Sequence, residues 1–183
     1  MNIPNTLTML RIALIPLFVI LFWLPFTWTD FAAATVFLLA AITDWLDGYL
    51  ARKLDQTSRL GAFLDPVADK LIVAVALVLL LQRDPTVALA LPTMVIIGRE
   101  ITVSALREWM AELGARAKVA VSRLGKVKTT FQMVALLLMI AREPILGLPV
   151  YSLGVVALYV AAALTLWSMV LYLQAAWPAF SDE

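Results

Sequence analysis

Six apolar stretches alternate with short polar breaks, at roughly 9–26, 31–50, 62–81, 87–106, 119–140 and 150–173. About 20 apolar residues let a helix cross a bilayer. The pattern therefore predicts an all-α membrane protein of six transmembrane helices in a single domain. Turn and breaker residues stand between the stretches: Leu24-Pro25 with Asp30, Arg83-Asp84-Pro85, Gly114, and Glu143-Pro144 with Gly147. Asn5 and Thr8 suit the caps of a short interfacial helix before or at the first span. The first run follows a single charge, Arg11, and a second apolar run begins at once, which favours a retained span over a signal peptide.

Composition sharpens this class. The 183 residues are 63% hydrophobic, and the mean hydropathy is +0.93, far above a soluble domain. Cys and His are both absent, which excludes disulfides, thiolate metal sites and imidazole catalysis. A metal would have to be bound by oxygen, as hard ions such as Mg²⁺, Mn²⁺ or Ca²⁺ are. The net charge of +1 decides little, but its distribution does. Arg52, Lys53 and Arg59 lie between spans two and three, and Arg107, Arg116, Lys118, Arg123, Lys126 and Lys128 between four and five. The alternate loops hold only Arg83 and Arg142. The positive-inside rule then puts both rich loops and both termini in the cytoplasm.

One of those basic loops is bracketed by four aspartates, in the spacing D-x2-D-G-x2-A-R-x8-G-x3-D-x3-D. Asp44 and Asp47 share one helix face at the end of the second span, and Asp65 and Asp69 share another at the start of the third. A carboxylate at the centre of a membrane helix costs about 2.5–3.5 kcal/mol, so four are a heavy penalty for packing alone. Converging in low dielectric, they would repel unless cations lay between them. One or two divalent ions bridged by carboxylates would resolve this. Gly48 and Ala51 would admit a flat group or a helix close to the backbone. Gly61 would ease entry into the third span, Arg52 offers a planar fork to a phosphate, and Asp65-Pro66 looks like a helix start. A plainer reading makes the aspartates packing salt bridges, Asp69 with Lys70 or Asp44 with Arg52. Adjacent helical residues do not face each other, and four acids outnumber the nearby bases.

The spacing resembles, without a departure, the motif of the CDP-alcohol phosphatidyltransferase family. The resemblance implies a six-helix membrane domain, usually a homodimer. It implies two divalent ions, Mg²⁺ or Mn²⁺, held by Asp44, Asp47, Asp65 and Asp69. It also implies that Gly48, Ala51, Arg52 and Gly61 bind the cytidine diphosphate part of a CDP-linked lipid, and that Asp69 acts as general base on the acceptor alcohol. The rest of the chain is similar to one bacterial branch of that family. The likeness runs through Asn2-Ile3-Pro4, Leu7-Thr8, Arg11, the stretch 62–70, Arg99-Glu100-Ile101, the stretch 104–109 and the stretch 125–130. In that branch CDP-diacylglycerol donates its phosphatidyl group to sn-glycerol 3-phosphate at the inner membrane, with no nucleic-acid partner.

Independently of the resemblance, Arg99 and Glu100 interrupt an apolar span, which marks a functional site by default. Arg107, Arg123, Lys126 and Lys128 lie near the same level, and a dianionic phosphate suits such a ring of cations. Glu100 either neutralises Arg99 or orients it. Arg116 and Lys118 fit topology or lipid headgroups better. Trp23, Trp28 and Trp167 read as belt or packing residues, and Met133, Met139 and Met169 as packing. Two alternatives stay open. One is a different acceptor within the family, as in cardiolipin or phosphatidylinositol-phosphate synthesis. The other is a divalent-cation transporter, which the lack of an internal repeat and of polar residues in the outer halves of the spans opposes.

Overall fold

A computed structural model describes residues 3–54, 59–112, 123–144 and 147–180. Gly114, Arg116 and Lys118, and with them the predicted turn before the fifth span, lie outside these residues. Each apolar stretch is helical: α1 (Ile3–Trp23), α2 (Thr29–Leu54), α3 (Arg59–Arg83), α4 (Val87–Glu112), α5 (Arg123–Ala141) and α6 (Val150–Phe180).

Two helix starts differ from the sequence expectation. Asn5 and Thr8 do not cap a separate short helix, because α1 runs unbroken through them. Pro4 stands in the first turn, where its missing N–H is not needed. In α3 the helix begins at Arg59, ahead of Asp65-Pro66, and Pro66 lies inside it. Proline there forfeits one backbone hydrogen bond. The turns before it are held instead against α1, where Gly61 is buried and Thr8 Oγ1 donates to Asp65 Oδ1 at 2.6 Å.

Short turns reverse the chain at the end remote from the aspartates. Thr29 Oγ1 donates to the carbonyls of Phe26 and Leu24 at 2.7 and 3.0 Å, closing the turn into α2. The Leu89 N–H donates to Thr86 Oγ1 at 3.3 Å, the capping arrangement for the start of α4. Arg142 ends α5 in the left-handed region, with φ 55°, a common helix stop. Arg83 ties this end together: it donates to Asp30 at 2.6 Å and to the Phe22 carbonyl at 2.8 Å.

The helices alternate in direction. α1 packs against α2 and α3, α5 against α2 and α6, and α4 against α6. Phe18, Phe37, Ile72, Leu77, Ile96, Leu136, Met139 and Leu158 fill the shared core. Met133 and Met169 pack against buried clusters. Outward-facing positions are apolar as well, with Phe31, Val78, Val87, Met94, Val156 and the indoles of Trp23, Trp28 and Trp167 exposed. A soluble surface rarely carries so much contiguous apolar area, so lipid is the solvent of this face. Among the described residues, four helices are long and apolar enough to cross a membrane: Asn5–Trp23, Thr29–Leu50, Val87–Glu112 and Val150–Trp177. α3 falls below that measure because Asp65, Asp69 and Lys70 stand in it, and the apolar part of α5, Val127–Ala141, is shorter.

Gly154 is where α6 meets α5 most closely. A Cβ there would lie 2.6 Å from Met139 Cγ, 3.0 Å from the Ala135 carbonyl oxygen and 3.1 Å from the Met139 nitrogen. Two of these atoms are backbone and cannot swing aside. Gly154→Ala is expected to cost about 1–3 kcal/mol through overpacking, read as a lower Tm of the detergent-solubilised protein. An unchanged Tm would mean that the two helices do not touch here.

Candidate active site

At the end of the bundle that carries the aspartates, the helices leave a cavity of about 360 Å³. Asp44 of α2 and Asp65 and Asp69 of α3 line one side of it. Arg99, Glu100 and Arg107 of α4, Lys128 of α5 and Tyr172 of α6 line the other. Acids of α2 and α3 and bases of α4 and α5 thus border one space large enough for a substrate headgroup, with Lys70 of α3 and Glu100 of α4 each set among the opposite charge.

The four aspartates do not behave alike. Asp47 turns away from the cavity and is buried, its side chain 4% exposed, in an ion pair with Arg11 of α1. The same guanidinium reaches Asp44 Oδ1 at 2.8 Å, but the Asp44 side chain is 44% exposed and borders the cavity. Asp65 accepts from Thr8. Among the described residues, neither Asp65 nor Asp69 is in an ion pair. The Asp69–Lys70 bridge of the plainer reading does not form, because Lys70 Nζ donates instead to Ser104 Oγ on α4. The Asp44–Arg52 bridge falls on Arg52, whose side chain lies outside what is described, as do those of Ala51 and Lys126. Gly48 is half-buried on α2, and Gly61 is buried at the start of α3.

Arg11 escaped the sequence reading as a site residue. It is fully buried, and only its burial in an apolar span, with no acid within a helical turn of it, hinted at a remote partner.

On the opposite wall, Glu100 Oε1 accepts from Arg99 Nη1 at 3.0 Å and from Lys128 Nζ at 2.6 Å. Glu100 therefore does more than neutralise its neighbour, since it also docks α5 onto α4. Arg99 Nη2 donates to Ser168 Oγ at 3.1 Å, and its buried Nε has no hydrogen-bond partner among the described residues. Arg107 Nη2 donates to the Tyr172 hydroxyl at 2.6 Å.

A hard divalent ion fits this donor set by chemistry. Asp44, Asp65 and Asp69 all offer carboxylate oxygen to one cavity, and two of them lack a cationic partner among the described residues. Asp47 fits less well, since Arg11 already takes its carboxylate. Among the described residues, no group of three carboxylates gathers closely enough to hold an ion as they stand.

A family model described as CDP-alcohol phosphatidyltransferase matches residues 1–167. The chain belongs to that family. CDP-alcohol phosphatidyltransferases are membrane transferases of phospholipid synthesis and generally depend on a divalent metal. The chain is 58% identical over 179 residues to the CDP-diacylglycerol–glycerol-3-phosphate 3-phosphatidyltransferase of Pseudomonas fluorescens, covering 97% of this chain and 91% of that protein. The proteins so named from Escherichia coli K12 and Shigella flexneri serotype 5b are each 56% identical over 175 residues, covering 96% of this chain and 94% of theirs. The match takes in both walls of the cavity up to Arg99, Arg107 and Lys128, while Tyr172 lies just beyond the part that the family model covers.

Arg11→Ala would leave a buried carboxylate without its counter-charge, a loss worth about 3–5 kcal/mol. The expected result is a markedly lower Tm in detergent, partly restored in Arg11→Lys, which keeps the charge but not the fork. A Tm unmoved by either substitution would show that the pair contributes nothing to stability.

Proposed function

We propose that this protein transfers the phosphatidyl group of CDP-diacylglycerol to sn-glycerol 3-phosphate, yielding phosphatidylglycerol phosphate and CMP. The observation that carries it is one cavity lined by Asp44, Asp65 and Asp69 of α2 and α3 together with Arg99, Arg107 and Lys128 of α4 and α5. The names of relatives at 56–58% identity describe this reaction for those proteins. Phosphoryl transfer asks for positioning and charge neutralisation more than covalent chemistry, and the cavity offers both.

The acceptor phosphate lies against Arg99, Arg107, Lys126 and Lys128, which suits a dianion. By the family resemblance, Gly48, Ala51, Arg52 and Gly61 serve the cytidine diphosphate. Divalent Mg²⁺ or Mn²⁺, held by Asp44, Asp65 and Asp69 with Asp47 behind them, would neutralise the pyrophosphate and polarise it. Asp69 takes the proton of the acceptor hydroxyl as its oxygen bonds to the lipid-bearing phosphorus. The bond from that phosphorus to the CMP oxygen breaks, and CMP departs with the electron pair. A carboxylate without a paired cation is suited to accept that proton.

The site opens at the end rich in Lys and Arg, which supports a bacterial inner-membrane protein with site and termini in the cytoplasm. A homodimer belongs to the proposal through the family resemblance. Cation transport draws no support, since beyond the cavity the bundle closes on Phe18, Phe37, Leu77, Leu136 and Met139.

Purified protein given CDP-diacylglycerol is expected to release CMP only when glycerol 3-phosphate and Mg²⁺ are both present. Asp69→Asn is expected to lower kcat by at least about 100-fold, the usual worth of a positioned base. Release with another alcohol in place of glycerol 3-phosphate would overturn the acceptor, and near-normal turnover of Asp69→Asn would overturn the role of Asp69.

A further inference from the structure

Arg99 and Arg107 stand on α4, and beside the Glu100 bond to Arg99 their hydrogen-bond acceptors come from α6. Ser168 and Tyr172 are four residues apart, hence on one face of α6, and both are buried. The Tyr172 ring is packed among Val103, Leu106, Met110 and Ala176. The Arg107 guanidinium lies 5.1 Å from its centroid and that of Arg99 5.5 Å. Its hydroxyl accepts from Arg107 at 2.6 Å, while Ser168 Oγ accepts from Arg99 at 3.1 Å. Ser168 is itself aimed, since it donates to the Thr165 carbonyl at 3.0 Å.

We propose that Tyr172, assisted by Ser168, is a positioning residue that holds the Arg99 and Arg107 guanidinium groups at the cavity wall and so sets the affinity for the acceptor phosphate. A buried tyrosine serving packing alone would need only its ring. Here the hydroxyl is spent on a cation that borders the cavity, and the ring face attracts both guanidinium groups. An arginine side chain is long and flexible, and binding an anion ordinarily costs the freedom it loses. With both groups already fixed, most of that loss is incurred in folding instead. The proposal rests on the reading of this wall as the acceptor-phosphate site.

The test compares the wild type, Tyr172→Phe, Arg107→Gln and the double variant by CMP release, with KM measured for each substrate and Tm for each protein. Tyr172→Phe keeps the ring and is expected to raise KM for glycerol 3-phosphate about five- to tenfold, the scale of one net hydrogen bond. KM for CDP-diacylglycerol should move less than about twofold, and the Tyr172→Phe effect should largely vanish in the Arg107→Gln background. If Arg107→Gln raises the glycerol 3-phosphate KM while Tyr172→Phe leaves it unchanged, or if the two effects simply add, the positioning role is overturned and the acceptor site stands. A lower Tm for Tyr172→Phe with no change in KM likewise reduces it to packing. If Arg107→Gln leaves that KM unchanged, the acceptor site fails, and the positioning role fails with it.

Discussion

The site end of this bundle is organised around one buried guanidinium. Charges in a membrane protein persist only where they are paired or reach water, and Arg11 pairs both Asp44 and Asp47. By bridging Asp44 and Asp47 it ties α1 to α2 at the level of the site. The neighbouring turn of α1 then holds α3 through Thr8 and Asp65. Two carboxylates that would otherwise repel are thereby compensated, and of the two it is Asp44 that borders the substrate space. Removing either partner would leave a buried charge alone, which is why such pairs resist substitution even when their net contribution to stability is small.

The opposite wall solves the reverse problem. Arg99, Arg107 and Lys128 would repel one another, and Glu100 sits among them as the compensating charge. Its bond to Lys128 also links α5 to α4 across the site. α6 adds neutral acceptors, Ser168 and Tyr172, which direct the arginines without reducing their charge. The cavity therefore offers both acids and bases, which suits a reaction that moves a phosphatidyl group from a pyrophosphate donor to an anionic acceptor with release of CMP.

Much of this was legible along the chain. The helices follow from six apolar runs and their breakers, and the aspartate spacing marked the site because so costly a pattern is hard to explain by packing. The pairings were less legible, because they join residues far apart in sequence. Arg11 meets Asp47 from another helix, and in isolation it looked like a charge flanking a first span. Lys128 and Glu100 were each singled out, yet nothing local pairs them. The start of α3 was misplaced because Asp65-Pro66 has the local chemistry of a helix start, while contact with α1 extends the helix back to Arg59. Tyr172 carried no signal at all, since a tyrosine in an apolar helix ordinarily belongs to a belt or a core.

The central claim is that the two walls do separate work, the acids toward the divalent ion and the bases toward the acceptor. The most direct measurement is a pair of steady-state titrations on the same two variants, Asp65→Asn and Lys128→Met, one varying Mn²⁺ and the other glycerol 3-phosphate. The account predicts that Asp65→Asn shifts the Mn²⁺ requirement upward by about tenfold or more while the KM for glycerol 3-phosphate stays near that of the wild type, and that Lys128→Met does the opposite. Variants that both move the same parameter, or a Lys128→Met whose glycerol 3-phosphate KM is unchanged, would contradict it.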